Sequence, residues 1–108
     1  MGKIEKFEFK KLSKKLTVLY VEDDKKISIK FKAFLEEVFL QCDVAYDGKM
    51  GLEIYENFEY KENRFYDIVI TDIIMPYMNG IVLCEKILQI NPIQKIIVIS
   101  GLMKKMSC

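Results

Sequence analysis

Four short apolar runs, separated by stretches of helical periodicity, constrain this chain more than any other feature. Leu16 to Val21 (LTVLYV) is rich in β-branched and aromatic residues, is bounded by charge at both ends, and reads as a buried strand. From Lys25, the apolar residues Ile27, Phe31, Phe34, Leu35 and Val38 form one stripe of an amphipathic helix, which Asp24 is placed to cap. Residues 42–48 (CDVAYDG) predict a second short strand ending in a turn at Asp47-Gly48. Gly51, Ile54, Tyr55 and Phe58 then fall at helical spacing, in a helix expected to dissolve into the charged EYKENR segment. Asp67 to Thr71 holds a third strand core, IVI. Residues 81–90 place Ile81, Cys84, Ile87 and Leu88 on one helical face, stopped by Asn91-Pro92. Residues 95–100 (KIIVIS) lack polar alternation, the pattern of a strand covered on both faces. Strands separated by helices imply parallel crossovers, so the expected fold class is α/β, a doubly wound parallel sheet with helices on both faces.

Composition removes several function classes. A chain of 108 residues with 51% hydrophobic content supports one domain with a real core. Its 17 basic and 16 acidic side chains nearly cancel, so direct nucleic-acid or membrane binding is not expected. Only residues 1–15 (MGKIEKFEFKKLSKK) are locally basic, and they read as a solvated leader or a short helix that packs its few apolar side chains locally. No apolar stretch reaches the roughly 20 residues that span a bilayer, and no signal-peptide core follows the amino terminus; a cytoplasmic location is the expectation. Histidine is absent, which eliminates Ser-His and Cys-His nucleophile pairs. Cys42, Cys84 and Cys108 are too scattered for a zinc site or a disulfide framework.

What remains is acid. In an open parallel sheet, ligands bind beyond the carboxyl ends of the strands. The first strand ends at Glu22-Asp23, the third at Asp72 and the fourth at Ser100. If the first and third strands are neighbours, three carboxylates meet. Taken singly, an acid at a strand end is more often a turn former or helix cap, the role expected of Asp24 and Asp47, and a lone Ser100 would be a loop hydroxyl. Their coincidence at one sheet edge argues for a shared cation instead. Magnesium suits one or two carboxylates with several waters and accepts a phosphate oxygen, whereas calcium requires a loop that this chain lacks. Such a site suits phosphoryl transfer to a carboxylate, with Asp72 as acceptor. Neither G-x-x-x-x-G-K-[ST] nor G-x-G-x-x-G occurs, so a nucleotide or flavodoxin-type cofactor is not expected.

These residues resemble the receiver domain of bacterial two-component response regulators. VLYVEDD is similar to that family's first strand and acidic pair, DIVITDIIMPYMNG to its phosphoacceptor strand and loop, and KIIVIS to its fourth strand ending in Thr or Ser. The resemblance spans residues 16–100 and implies a flavodoxin-like receiver fold for residues 16–108. It also implies that Asp72 accepts a phosphoryl group from a sensor histidine kinase, with Glu22 and Asp23 forming the acidic pocket. Magnesium would be held by Asp23, Asp72 and the backbone carbonyl of Ile74, and Ser100 would hydrogen-bond the phosphoryl group and act in the switch. Met75, Pro76 and Gly80 shape the loop. Receivers catalyse only their own phosphorylation and dephosphorylation.

One departure from the family pattern carries further expectations. A full receiver continues through a fourth helix, a fifth strand bearing a lysine that pairs with the phosphoryl group, and a fifth helix. The sequence ends eight residues after Ser100, and Lys104 and Lys105 come too early to be that lysine. The domain is therefore expected to be incomplete, with KIIVIS as an exposed edge that favours self-association. The alternative function is a phosphorylation-incompetent interaction or dimerisation module.

Overall fold

β1 (Thr17–Val21) is buried along its entire length, as its apolar, charge-bounded sequence predicts. The structure, a computed structural model, describes residues 11–99. After β1 come α1 (Lys25–Val38), β2 (Gln41–Ala45), α2 (Gly48–Glu62), β3 (Ile68–Asp72), α3 (Gly80–Ile90) and β4 (Lys95–Ile99). All strand pairs are parallel, in the order β2-β1-β3-β4, so β1 and β3 are neighbours. The chain steps from β1 to β2 on one side and then returns to place β3 on the other. That reversal opens a crevice beyond the carboxyl ends of β1 and β3.

Side chains of the strands alternate between two cores. On one face Leu19, Val21, Ala45 and Val69 pack with Tyr55 and Phe58 of α2 and with Leu83 and Ile87 of α3. On the other, Val18, Tyr20, Cys42 and Ile70 pack with Leu35 and Phe31 of α1. α1, α2 and α3 each begin at an Asx cap. Asp24, Asp47 and Asn79 accept from the backbone N–H groups of Ile27, Met50 and Val82 at 3.0, 2.7 and 2.9 Å.

Several details depart from the sequence expectation. α2 does not dissolve at EYKENR: it continues to Glu62 and stops where Asn63 adopts the left-handed conformation at φ 55°. Glu and Lys are good helix formers, so charge alone does not end a helix. α3 turns Leu83 and Ile87 to the core, whereas the expected face members Ile81 and Leu88 are exposed and Cys84 is half-buried. In α1, Phe34 is likewise exposed, stacked on the half-buried Phe31 at 5.9 Å. β4 is not covered on both faces. Among the described residues it pairs only with β3, and Ile97 is 53% exposed, because it is the sheet's edge. Of the basic leader, residues 11–13 form a helical turn with Ser13 buried and Leu12 exposed; residues 1–10 lie outside the described range. Among the described residues no helix is long and apolar enough to cross a membrane.

Candidate functional site

The register of the central strands sets Val21 beside Thr71, so Glu22 and Asp72 each emerge one residue later, side by side. The Glu22 amide donates to the Ala45 carbonyl at 2.9 Å, which carries the β1 to β2 ladder one step past the strand. Glu22 and Asp72 are almost wholly buried, at 1% and 2% exposure, and Asp23 is half-buried. One carboxylate oxygen from each of the three lies within 4.8 Å of the others. The structure thus gathers the acids expected from the sequence, although they come from two elements far apart in the chain.

Both oxygens of Glu22 are held. Oε2 accepts from the Asp24 amide at 3.1 Å, and Oε1 accepts from the Tyr20 hydroxyl at 3.4 Å. Because Asp24 caps α1, the same turn fixes the start of the helix and the direction of Glu22. Tyr20 is 1% exposed, and its ionisation is pushed well above the usual phenol range. Burial is the main cause, followed by the charge and hydrogen bond of Glu22 and then by Asp72. Tyr20 therefore remains a donor. In the sequence Tyr20 reads only as a strand aromatic, although its spacing of two from Glu22 places both on one side of the strand.

The Asp72 side chain accepts from the Ile73 amide at 2.8 Å, and the Asp72 carbonyl accepts from the Thr71 hydroxyl at 2.9 Å. The loop then turns back on itself. Gly80 donates its amide to the Ile73 carbonyl at 2.7 Å, and a Cβ at Gly80 would stand 1.9 Å from the Asp72 carbonyl oxygen, so only glycine fits. Met75 is anchored in the core, and the Pro76 carbonyl accepts from the Met78 amide at 2.8 Å. Between them, Tyr77 has φ 68° and is 90% exposed. Ile74 lies two residues beyond Asp72, its side chain 79% exposed. Ser100 lies outside the described residues.

Three like charges this close repel by on the order of 3 kcal/mol per pair at an effective dielectric of about 20, so the ionised cluster calls for a cation. The donor set fits a small hard divalent ion. Its ligands sit at about 2.1 Å, so opposite ligands are about 4.2 Å apart, and the cluster need close only slightly or bridge through water.

A separate cleft of about 310 Å³ lies at the opposite end of the sheet, lined in part by Asp43, Asn57, Phe58, Lys61 and Tyr66. There the Tyr66 hydroxyl donates to Asp43 at 2.5 Å. Burial, then that hydrogen bond, pushes the phenol's ionisation upward. None of the acids at the strand ends reaches it.

Comparison with known proteins agrees with the geometry. The family model described as the response regulator receiver domain matches residues 18–107. The response regulator ArlR of Staphylococcus saprophyticus is 32% identical over 84 residues, 78% of this chain and 35% of the relative. The chain thus spans about a third of the length of the curated relatives it matches. The receiver domain of the Francisella response regulator 1452 superposes with a TM-score of 0.62 at 36% identity, covering 81% of this chain and 67% of that one. A CheX–CheY–BeF3–Mg2+ complex from Borrelia burgdorferi gives a TM-score of 0.66 at 32% identity, covering 85% and 66% of the two chains.

Proposed function

The chain belongs to the response regulator receiver family, and on that premise we propose that Asp72 takes a phosphoryl group from the phosphohistidine of a sensor histidine kinase in a magnesium-dependent reaction. The observation that carries this reading is the burial of Asp72 at a strand end with oxygens of Glu22 and Asp23 within 4.8 Å. An Asp72 oxygen attacks phosphorus as the bond from phosphorus to the histidine nitrogen breaks; the product is an acyl phosphate on Asp72 and a free imidazole. Asp23, Asp72 and the Ile74 carbonyl would hold the ion, which supplies charge neutralisation at the transferring group. Glu22, steered by Tyr20 and the Asp24 amide, completes the acidic pocket. Ser100 would hydrogen-bond the bound phosphoryl group and pass its arrival to the surface. Residues 16–108 would form the receiver segment and residues 1–15 its leader.

Magnesium with acetyl phosphate, followed by intact-mass measurement, tests the proposal. A phosphoryl adduct is expected on the wild type and not on Asp72→Asn. An unmodified wild type under those conditions would sink it and favour the interaction-module alternative. A second reading rests on β4, whose Ile97 and Val98 are exposed at the sheet edge. It holds that the 108-residue chain self-associates through this strand; a monodisperse monomer in light scattering at micromolar concentration contradicts it.

A further inference from the structure

The loop that follows Asp72 is held by a neighbour outside the acid cluster. Gly48, the first residue of α2, lies with its Cα against the backbone of Met78. A Cβ at that position would stand 2.3 Å from the Met78 carbonyl oxygen, 2.8 Å from the Met78 Cβ and 3.0 Å from the Met78 carbonyl carbon. These are mainly backbone atoms, which cannot swing aside as the end of a side chain can. The contact falls one residue beyond Tyr77, a non-glycine residue at φ 68° whose turn is closed by the bond from the Met78 amide to the Pro76 carbonyl. A three-residue turn about a positive φ is a strained conformation, and it persists only where the surroundings over-determine it. Here those surroundings are Met75 in the core, Gly80 against the Asp72 carbonyl, and Gly48 against Met78.

We propose that Gly48 is a positioning residue for the phosphoacceptor loop, setting the path of residues 73–79 and through it the affinity of the acid site for magnesium. Its meaning for phosphotransfer rests on the function proposed above. Helix propensity does not account for glycine here, since alanine would favour α2 itself. The close approach of the loop backbone does. With alanine at position 48, the Met78 carbonyl must retreat by about 1 Å to reach ordinary van der Waals distance. That displacement is large compared with the tolerance of a site that aims a carboxylate and a carbonyl at one ion.

Gly51 supplies the control. It too is a buried glycine of α2, but a Cβ there would meet only side-chain carbons, those of Val21 at 3.0 and 3.4 Å and of Leu83 at 3.5 Å. Amide spectra of 15N-labelled wild type, Gly48→Ala and Gly51→Ala are recorded without metal and through a magnesium titration. Gly48→Ala is expected to shift the amides of residues 73–79 in the metal-free protein and to weaken magnesium binding by about tenfold, while Gly51→Ala leaves the affinity within about twofold. In the wild type, magnesium is expected to move the Gly48 amide. Unchanged loop amides and affinity in Gly48→Ala, or equal losses in both variants, overturn the proposal. If Gly48→Ala fails to fold, a wild-type Gly48 amide that ignores magnesium overturns it alone. A wild type that binds magnesium but forms no beryllofluoride adduct counts against the phosphoacceptor reading and leaves the proposal on Gly48 standing. One that binds no magnesium removes the link to affinity, and the metal-free spectra then judge the hold on the loop.

Discussion

Tyr20→Phe isolates the hydrogen bond that steers Glu22. The substitution keeps the ring and its edge-on contact with Phe31 at 5.1 Å, and deletes only the hydroxyl that donates to Glu22. Losing a donor to a buried carboxylate costs about 1–3 kcal/mol, and the long 3.4 Å separation places this case near 1 kcal/mol. At pH 7 the variant should therefore be less stable by about 1 kcal/mol. The difference should shrink as pH rises. Below about pH 10 the tyrosine is protonated in both states. Above it the unfolded chain releases the phenolic proton while the folded chain, its ionisation pushed up by burial, does not. Unfolding then releases a proton, and wild-type stability falls by about 0.8 kcal/mol at pH 10.5 and about 1.4 kcal/mol at pH 11. The variant has no such loss at this position, so the two proteins should reach equal stability between these pH values. Urea unfolding of both at pH 7, 10 and 11, with attention to the difference alone, cancels the titration of Tyr66 and Cys42, which they share. A difference that stays constant across this range refutes the argument that Tyr20 is a buried donor to Glu22.

Magnesium at a hundred times its dissociation constant should raise the unfolding free energy of the wild type by about 2.7 kcal/mol. Asp23→Asn should gain less at the same concentration, measured by thermal or urea unfolding. Ile97→Lys places a charge on the exposed β4 edge and should reduce any self-association, read as a lower weight-average mass in light scattering.

The order of elements and the acid cluster were legible in the sequence because both are written locally. Apolar runs of strand length, Asx caps at Asp24 and Asp47, and acids directly after two strands need no tertiary information. The buried face of α3 was not legible. Ile81, Val82, Leu83, Cys84, Ile87, Leu88 and Ile90 make that helix apolar almost all round, so its rotation is set by Gly80 docking on the Asp72 carbonyl. The exposure of β4 was only partly legible, because an apolar strand reads alike in the middle of a sheet and at its edge. Gly48 looked like a turn residue, since nothing in the sequence links it to Met78.

The three Asx caps have a consequence for the electric field of the domain. α1, α2 and α3 each follow a strand and run back antiparallel to it, so all three begin near the edge where Glu22, Asp23 and Asp72 converge. A helix start carries roughly half a positive charge. The crossover connections thus polarise the whole layer. The edge that gathers the negative side chains is also the positive pole of the backbone, and an arriving anion meets amide dipoles fixed before any cation binds.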